Sequence, residues 1–139
     1  MRKRRKSREF ALQVLYQLDI TKQDVIKTLA QFQDHFSGNE ERDNFMERLA
    51  IGVLEHCQEI DRLIEKYSEN WRLDRMNIID RAILRMATFE LLYCEEIPPK
   101  VTLNEAIELG RQFGSEDSGS FINGILDRIQ NEAVRKPIK

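Results

Sequence analysis

The chain opens with Met-Arg-Lys-Arg-Arg-Lys-Ser-Arg, six cations in eight residues and no acid. Guanidinium and ammonium groups at that density neutralise phosphates, and aromatic rings stack on the unpaired bases of single strands. Arg4, Arg5, Lys6 and Arg8 supply the first kind of group; Tyr16 and Phe121 are the best candidates for the second. If about four phosphates are neutralised on a single strand, affinity falls roughly 50-fold over a fourfold rise in salt, at a slope of about -0.7 per contact. Charge alone does not separate RNA from DNA, but Lys and Arg do not gather on a second recognition helix as a helix-turn-helix requires. A solvated tail that binds nothing is the competing reading of such a terminus.

Catalytic constellations are missing. There is no phosphate-cradling glycine loop, no His-Glu-x-x-His and no Gly-x-Ser-x-Gly elbow. The acid pairs Glu40-Glu41 and Glu95-Glu96 fall in linkers or helix ends, where solvated charge is the ordinary state. Cys57 and Cys94 form no Cys-x-x-Cys pattern, which argues against a disulfide framework or a zinc site and for a reducing cytosol. His35 and His56 have no ligand-spaced neighbours. No catalytic residue, metal or cofactor is expected, and binding is favoured over catalysis.

The elements that must position these residues are helices. A chain of 139 residues suits one domain that buries roughly 70% of its unfolded surface. Three prolines, six glycines and long 3.6-residue patterns read as all-α. No apolar run reaches the roughly 18 to 20 residues of a membrane span, and Glu9 interrupts any signal-type core, so a soluble intracellular protein is expected. The net charge of -2 hides an asymmetry: residues 1–8 carry +6, and the 16 basic and 24 acidic residues beyond them give -8.

Ala11, Val14, Leu15 and Leu18 predict that the basic cluster runs into a first helix, with Arg4, Arg8, Leu12 and Tyr16 in one column. Thr21 and Asp24 predict a capped second helix to about Phe36, ended by Ser37-Gly38-Asn39. A third pattern from residues 39–43 to Tyr67 is long for one globular helix, so a break is expected near His56 to Gln58. Trp71 follows in a polar linker, its indole packing over a helix end or, alternatively, stacking on a base.

From Ile79 to Pro98 the pattern is apolar nearly all round, which predicts a central helix with a narrow polar strip of Asp80, Arg81, Arg85 and Glu90 open to a partner. After Pro98-Pro99, Thr102-Leu-Asn-Glu105 reads as a capping box, with Leu103, Ala106, Ile107, Gly110 and Phe113 inward and Gly114 as the stop. Gly110 and Gly114 suit close helix packing. Ser115 to Ser118 starts a last helix whose buried stripe is Ile122, Ile125, Leu126, Ile129 and Ala133. Gly119 and Gly124 inside it predict a close approach by another helix or by a ligand.

Four segments carry a family resemblance. Arg4 to Tyr16, Ile79 to Arg85 with Glu90-Leu91, Val101 to Leu109, and Phe113 to Ser118 with Phe121 to Asp127 resemble, in order, the signature blocks of the NusB family of bacterial transcription antitermination factors. The resemblance implies an all-α fold of about seven helices in two small bundles packed across each other. It implies a single RNA-binding domain over 1–139, with an N-terminal half to about 57 and a C-terminal half from about 58. It implies a non-enzymatic cytoplasmic protein that pairs with NusE, a small-subunit ribosomal protein. The pair binds boxA of nascent transcripts, notably from ribosomal RNA operons, and joins an antitermination complex on RNA polymerase. The residues it places on RNA are Arg4, Arg5, Lys6, Arg8, Asp117 and Phe121, and toward NusE Tyr16 and Asp80. The apolar margin of the central helix that could receive NusE could equally close a homodimer.

Overall fold

Ala11, Val14, Leu15 and Leu18 recur at helical spacing, and in the structure, a computed structural model, all four are buried along the first helix, α1 (Arg2–Thr21). The structure describes residues 2–21, 27, 44–69 and 71–133. The helix expected from Thr21 to Phe36, its Ser37-Gly38-Asn39 stop, His35, Glu40-Glu41 and the tail from residue 134 lie outside them. The described residues form six α-helices and one short 3-10 turn, with no strand among them. The chain divides into two compact units, Met1–Glu55 and His56–Lys139.

In the first unit α1 packs on α2 (Asn44–Glu55). Met46, Leu49, Ala50 and Val53 of α2 are buried. The first turn of α1 holds no acid, so its cations oppose the helix dipole by a few tenths of a kcal/mol each. Helix stability does not explain them.

The second unit holds α3 (Cys57–Tyr67), the 3-10 turn Leu73–Arg75, α4 (Ile78–Tyr93), α5 (Pro99–Phe113) and α6 (Ser118–Glu132). The expected break in the long third pattern falls at His56, whose turn backbone separates α3 from the preceding helix. As expected, α4 is central: it packs against α3, α5 and α6. Ile83, Leu84 and Met86 are fully buried on it, and Asn77 caps its start by accepting from the Ile79 and Asp80 amides at 2.8 and 3.3 Å. At its other end Tyr93 stacks with His56, ring centroids 4.3 Å apart, and donates to Glu59 Oε1 at 2.6 Å.

The polar strip of α4 is spent inside the unit, which corrects its reading as a partner surface. Arg85 grips Asp61 of α3 with two hydrogen bonds of 2.9 and 3.1 Å. Arg81 donates to the Leu73 carbonyl at 3.0 Å. Glu90, 2% exposed, accepts from Thr102 Oγ1 at 2.9 Å.

That last bond also overturns the capping box. The helix starts four residues earlier than expected, with Pro98 in place of Thr102 as N-cap and Pro99 first, whose ring presets φ and whose missing N–H costs nothing in the first turn. Thr102 is therefore inside α5, and its hydroxyl serves a buried carboxylate instead of an orphan amide. The buried face of α5 is Thr102, Ala106, Leu109 and Gly110, while Phe113, expected inward, is exposed. Gly114 does end the helix.

Candidate nucleic-acid interface

The first unit presents cations. Arg4, Arg5 and Lys6 are exposed on the opening turns of α1. The Arg4 guanidinium lies 5.2 Å from the centroid of the Phe45 ring, a cation–π arrangement that holds a long side chain on the surface without neutralising it. Lys6 reaches Glu9 at 3.7 Å, a contact too exposed to restrain it much. Tyr16, 39% exposed, lies further along the same helix.

Arg8 departs from this set. It is 3% exposed, with its guanidinium 5.4 Å from the same Phe45 ring. One turn beyond Arg4, it reaches the part of α1 that α2 covers, so the shared column that suggested a second surface cation leads into the packed side instead. Ser7 beside it is 2% exposed. Phe45, at the start of α2, thus serves two arginines of α1.

The second unit presents an aromatic patch at the start of α6. Asp117 occupies the N-cap position, exposed and making no side-chain capping bond. Phe121, one turn on, is half-buried and meets Trp71 edge to face, centroids 5.7 Å apart at 75°. Trp71 is 50% exposed, more so than an indole packed over a helix end.

What fixes this patch is Ser118, a residue the sequence reading used only as part of a helix start. Its Oγ donates to Asp80 Oδ1 at 2.6 Å and accepts the Ser115 amide at 2.8 Å. Asp80, expected on the partner-facing surface, is 7% exposed; its carboxylate ties the start of α4 to the start of α6. The approach needs Gly110 of α5 and Gly114, which caps its end. A Cβ on Gly114 would collide with the Ser118 hydroxyl and stand 2.8 Å from the Gly110 carbonyl oxygen, and one on Gly110 would stand 2.9 Å from Ile122 Cδ1. Gly114 has φ -96°, so close approach, not left-handed backbone, is what calls for glycine.

The two glycines within α6 part company. Gly119 is buried with Ile107 and Arg111 of α5 at 3.6 Å from its would-be Cβ, an approach by another helix as expected. Gly124 faces open space, and nothing among the described residues accounts for it. The buried stripe of Ile122, Ile125, Leu126 and Ile129 is as expected.

Among the described residues no group of three or more His, Cys, Asp or Glu could hold a metal ion, and no helix is long and apolar enough to cross a membrane. The first unit offers cations for phosphates, and the second offers ring faces for bases.

Comparison with known proteins points the same way. A sequence model of the NusB family matches residues 5–131. A transcription antitermination protein NusB from Syntrophus aciditrophicus (strain SB) is 47% identical over 136 residues, covering 98% of this chain and 84% of that protein. Among solved structures, T. maritima NusB matches with a TM-score of 0.87 at 38% identity, covering 95% of this chain and 93% of that one. A chain in a crystal structure of the antitermination factors NusB and NusE in complex with dsRNA matches with a TM-score of 0.83 at 26% identity, covering 94% and 98%.

Proposed function

This chain belongs to the NusB family, and from that membership we propose that it works as a transcription antitermination factor which binds RNA together with NusE. It is not an enzyme. The RNA in this reading is the boxA element of nascent transcripts, notably those of ribosomal RNA operons. The bound pair helps assemble the antitermination complex on RNA polymerase in the bacterial cytoplasm.

The observation that carries the reading is the surface of α1: Arg4, Arg5 and Lys6 stand exposed at the end of a helix whose first turn holds no acid and whose dipole disfavours cations. Such an arrangement costs helix stability and is explained by a phosphate ligand. Arg4, Arg5 and Lys6 take phosphates, and Arg8, over Phe45, positions the turn that carries them. Phe121 offers a ring to a base, and Asp117, an acid beside a polyanion, orients the strand more than it adds affinity. Tyr16 and Asp80 are the candidates toward NusE, Tyr16 exposed and Asp80 buried beside Ser118.

Binding of single-stranded boxA RNA, of the same RNA as a duplex, and of a scrambled strand, each with and without NusE, tests the reading. Affinity for the single boxA strand should rise when NusE is added; equal affinity for all three RNAs, indifferent to NusE, would overturn it. Sedimentation over a concentration series in the same buffer shows whether a homodimer competes with the NusE pair.

A further inference from the structure

Trp71 sits on a turn that is tied down at every side while its indole is left half in water. Ser68 Oγ donates to the Trp71 carbonyl at 2.7 Å, and the Trp71 amide donates back to the Ser68 carbonyl at 3.3 Å. Glu69 takes the left-handed backbone, φ 60°, a conformation that disfavours any residue with a Cβ. Arg128 of α6 holds this bend by donating to the Tyr67 carbonyl at 3.2 Å and pairing with Glu69 at 3.0 Å. Beyond the indole, Glu65 accepts the Leu73 amide at 3.0 Å, and Leu73 is buried. The indole on this constrained backbone stays half exposed and meets Phe121 in an edge-to-face contact. Arg72 and Arg75, both exposed, follow it in the chain; Arg72 pairs with Asp74 at 3.2 Å, a contact too exposed to hold it firmly.

We propose that Trp71 is a second base-stacking platform for single-stranded RNA, adjoining Phe121, so that the strand bends as it passes from one ring to the other. The inference rests on the reading that Phe121 faces RNA. Rings at 75° to one another cannot both stack on bases that remain stacked together, so this patch selects splayed, unpaired nucleotides. Arg75, and Arg72 when it leaves its exposed pair with Asp74, supply cations for the phosphates beside the bend. A protein partner would want the indole as an apolar plug; the adjoining cations and the perpendicular second ring favour a nucleotide.

Trp71 is the only tryptophan in the chain, so its emission reports this one position. The full chain is titrated with single-stranded boxA RNA, following tryptophan emission together with the anisotropy of end-labelled RNA. Quenching that saturates along the anisotropy isotherm is expected, with little quenching by the duplex. Trp71→Ala should weaken binding about 5- to 150-fold, the range for loss of one base–aromatic stack, and Trp71→Phe should stay within about threefold of the parent. Trp71→Leu separates stacking from propping: it keeps an apolar neighbour for Phe121 without a ring face, so it should bind as poorly as the alanine variant.

RNA bound by anisotropy with unchanged emission, or with Trp71→Leu binding like the parent, overturns the proposal. In that case a loss with Phe121→Ala leaves the wider RNA reading standing. Unchanged affinity in both Trp71→Ala and Phe121→Ala overturns both. Weakened NusE binding with RNA affinity intact would make Trp71 a protein contact and overturn the platform.

Discussion

Ser118 Oγ donates to Asp80 Oδ1 at 2.6 Å, and both residues are buried. The bond sets the start of α6, one turn ahead of Phe121, against the start of α4. Removing the acceptor strands a buried hydroxyl, so Asp80→Ala should cost about 1–3 kcal/mol in urea unfolding. If the unfolding midpoint holds while NusE binding weakens, Asp80 is a contact and not a support.

Close approach at the end of α5 makes a second, signed pair of expectations. Gly114→Ala places a methyl group against Ser118 and the Gly110 carbonyl and should destabilise by about 1–3 kcal/mol. Gly124→Ala meets nothing, so the helix should gain about 0.5–1 kcal/mol. Thermal melts of the two variants should move in opposite directions. A Gly124→Ala variant that is more stable yet binds RNA or NusE worse would show that an outside partner approaches the helix there.

Arg8 is expected to behave unlike its three neighbours. Truncating a buried guanidinium removes its packing on Phe45, so Arg8→Ala should lower stability by about 1 kcal/mol or more. The salt slope of RNA binding should stay as in the parent, since no phosphate contact is lost. A slope that shrinks by one contact, with stability unchanged, would return Arg8 to the RNA surface.

The Tyr93 hydroxyl is held above the usual tyrosine range, first by its hydrogen bond to Glu59 and then by partial desolvation and the carboxylate charge. Because the folded pKa is raised, the bond contributes its full stabilisation below the unfolded value of about 10 and loses it as pH climbs through the folded one. An ultraviolet titration of the folded protein should show one late phenol, and Tyr93→Phe should remove that step. Survival of the late step in the variant would place it at another tyrosine.

Much of the fold was legible because burial imposes period. Val14, Leu15 and Leu18 on α1, and Ile122, Leu126 and Ile129 on α6, were readable as inward from spacing alone. The break at His56 followed from length. Polar residues were misread where their partners are distant in sequence: Thr102 with Glu90, Arg85 with Asp61, and Ser118 with Asp80 are separated by 12, 24 and 38 positions. A buried charge and a solvated one have the same one-letter code, so Asp80 and Arg8 looked like surface. The Trp71–Phe121 contact spans a still longer interval, and no local pattern announces it.

In the proposed function, exposed cations on the opening turns of α1 hold the phosphates of single-stranded RNA in the company of NusE. The direct measurement is the affinity of the NusE-paired chain for single-stranded boxA RNA across a salt series, for the parent and for a variant with Arg4, Arg5 and Lys6 changed to Ala. With Arg8 buried, these side chains supply about three phosphate contacts, a slope of about -2, and a loss of roughly 20-fold over a fourfold rise in salt. The triple variant should lose about that much slope while remaining folded. Equal slopes in the two proteins would contradict it.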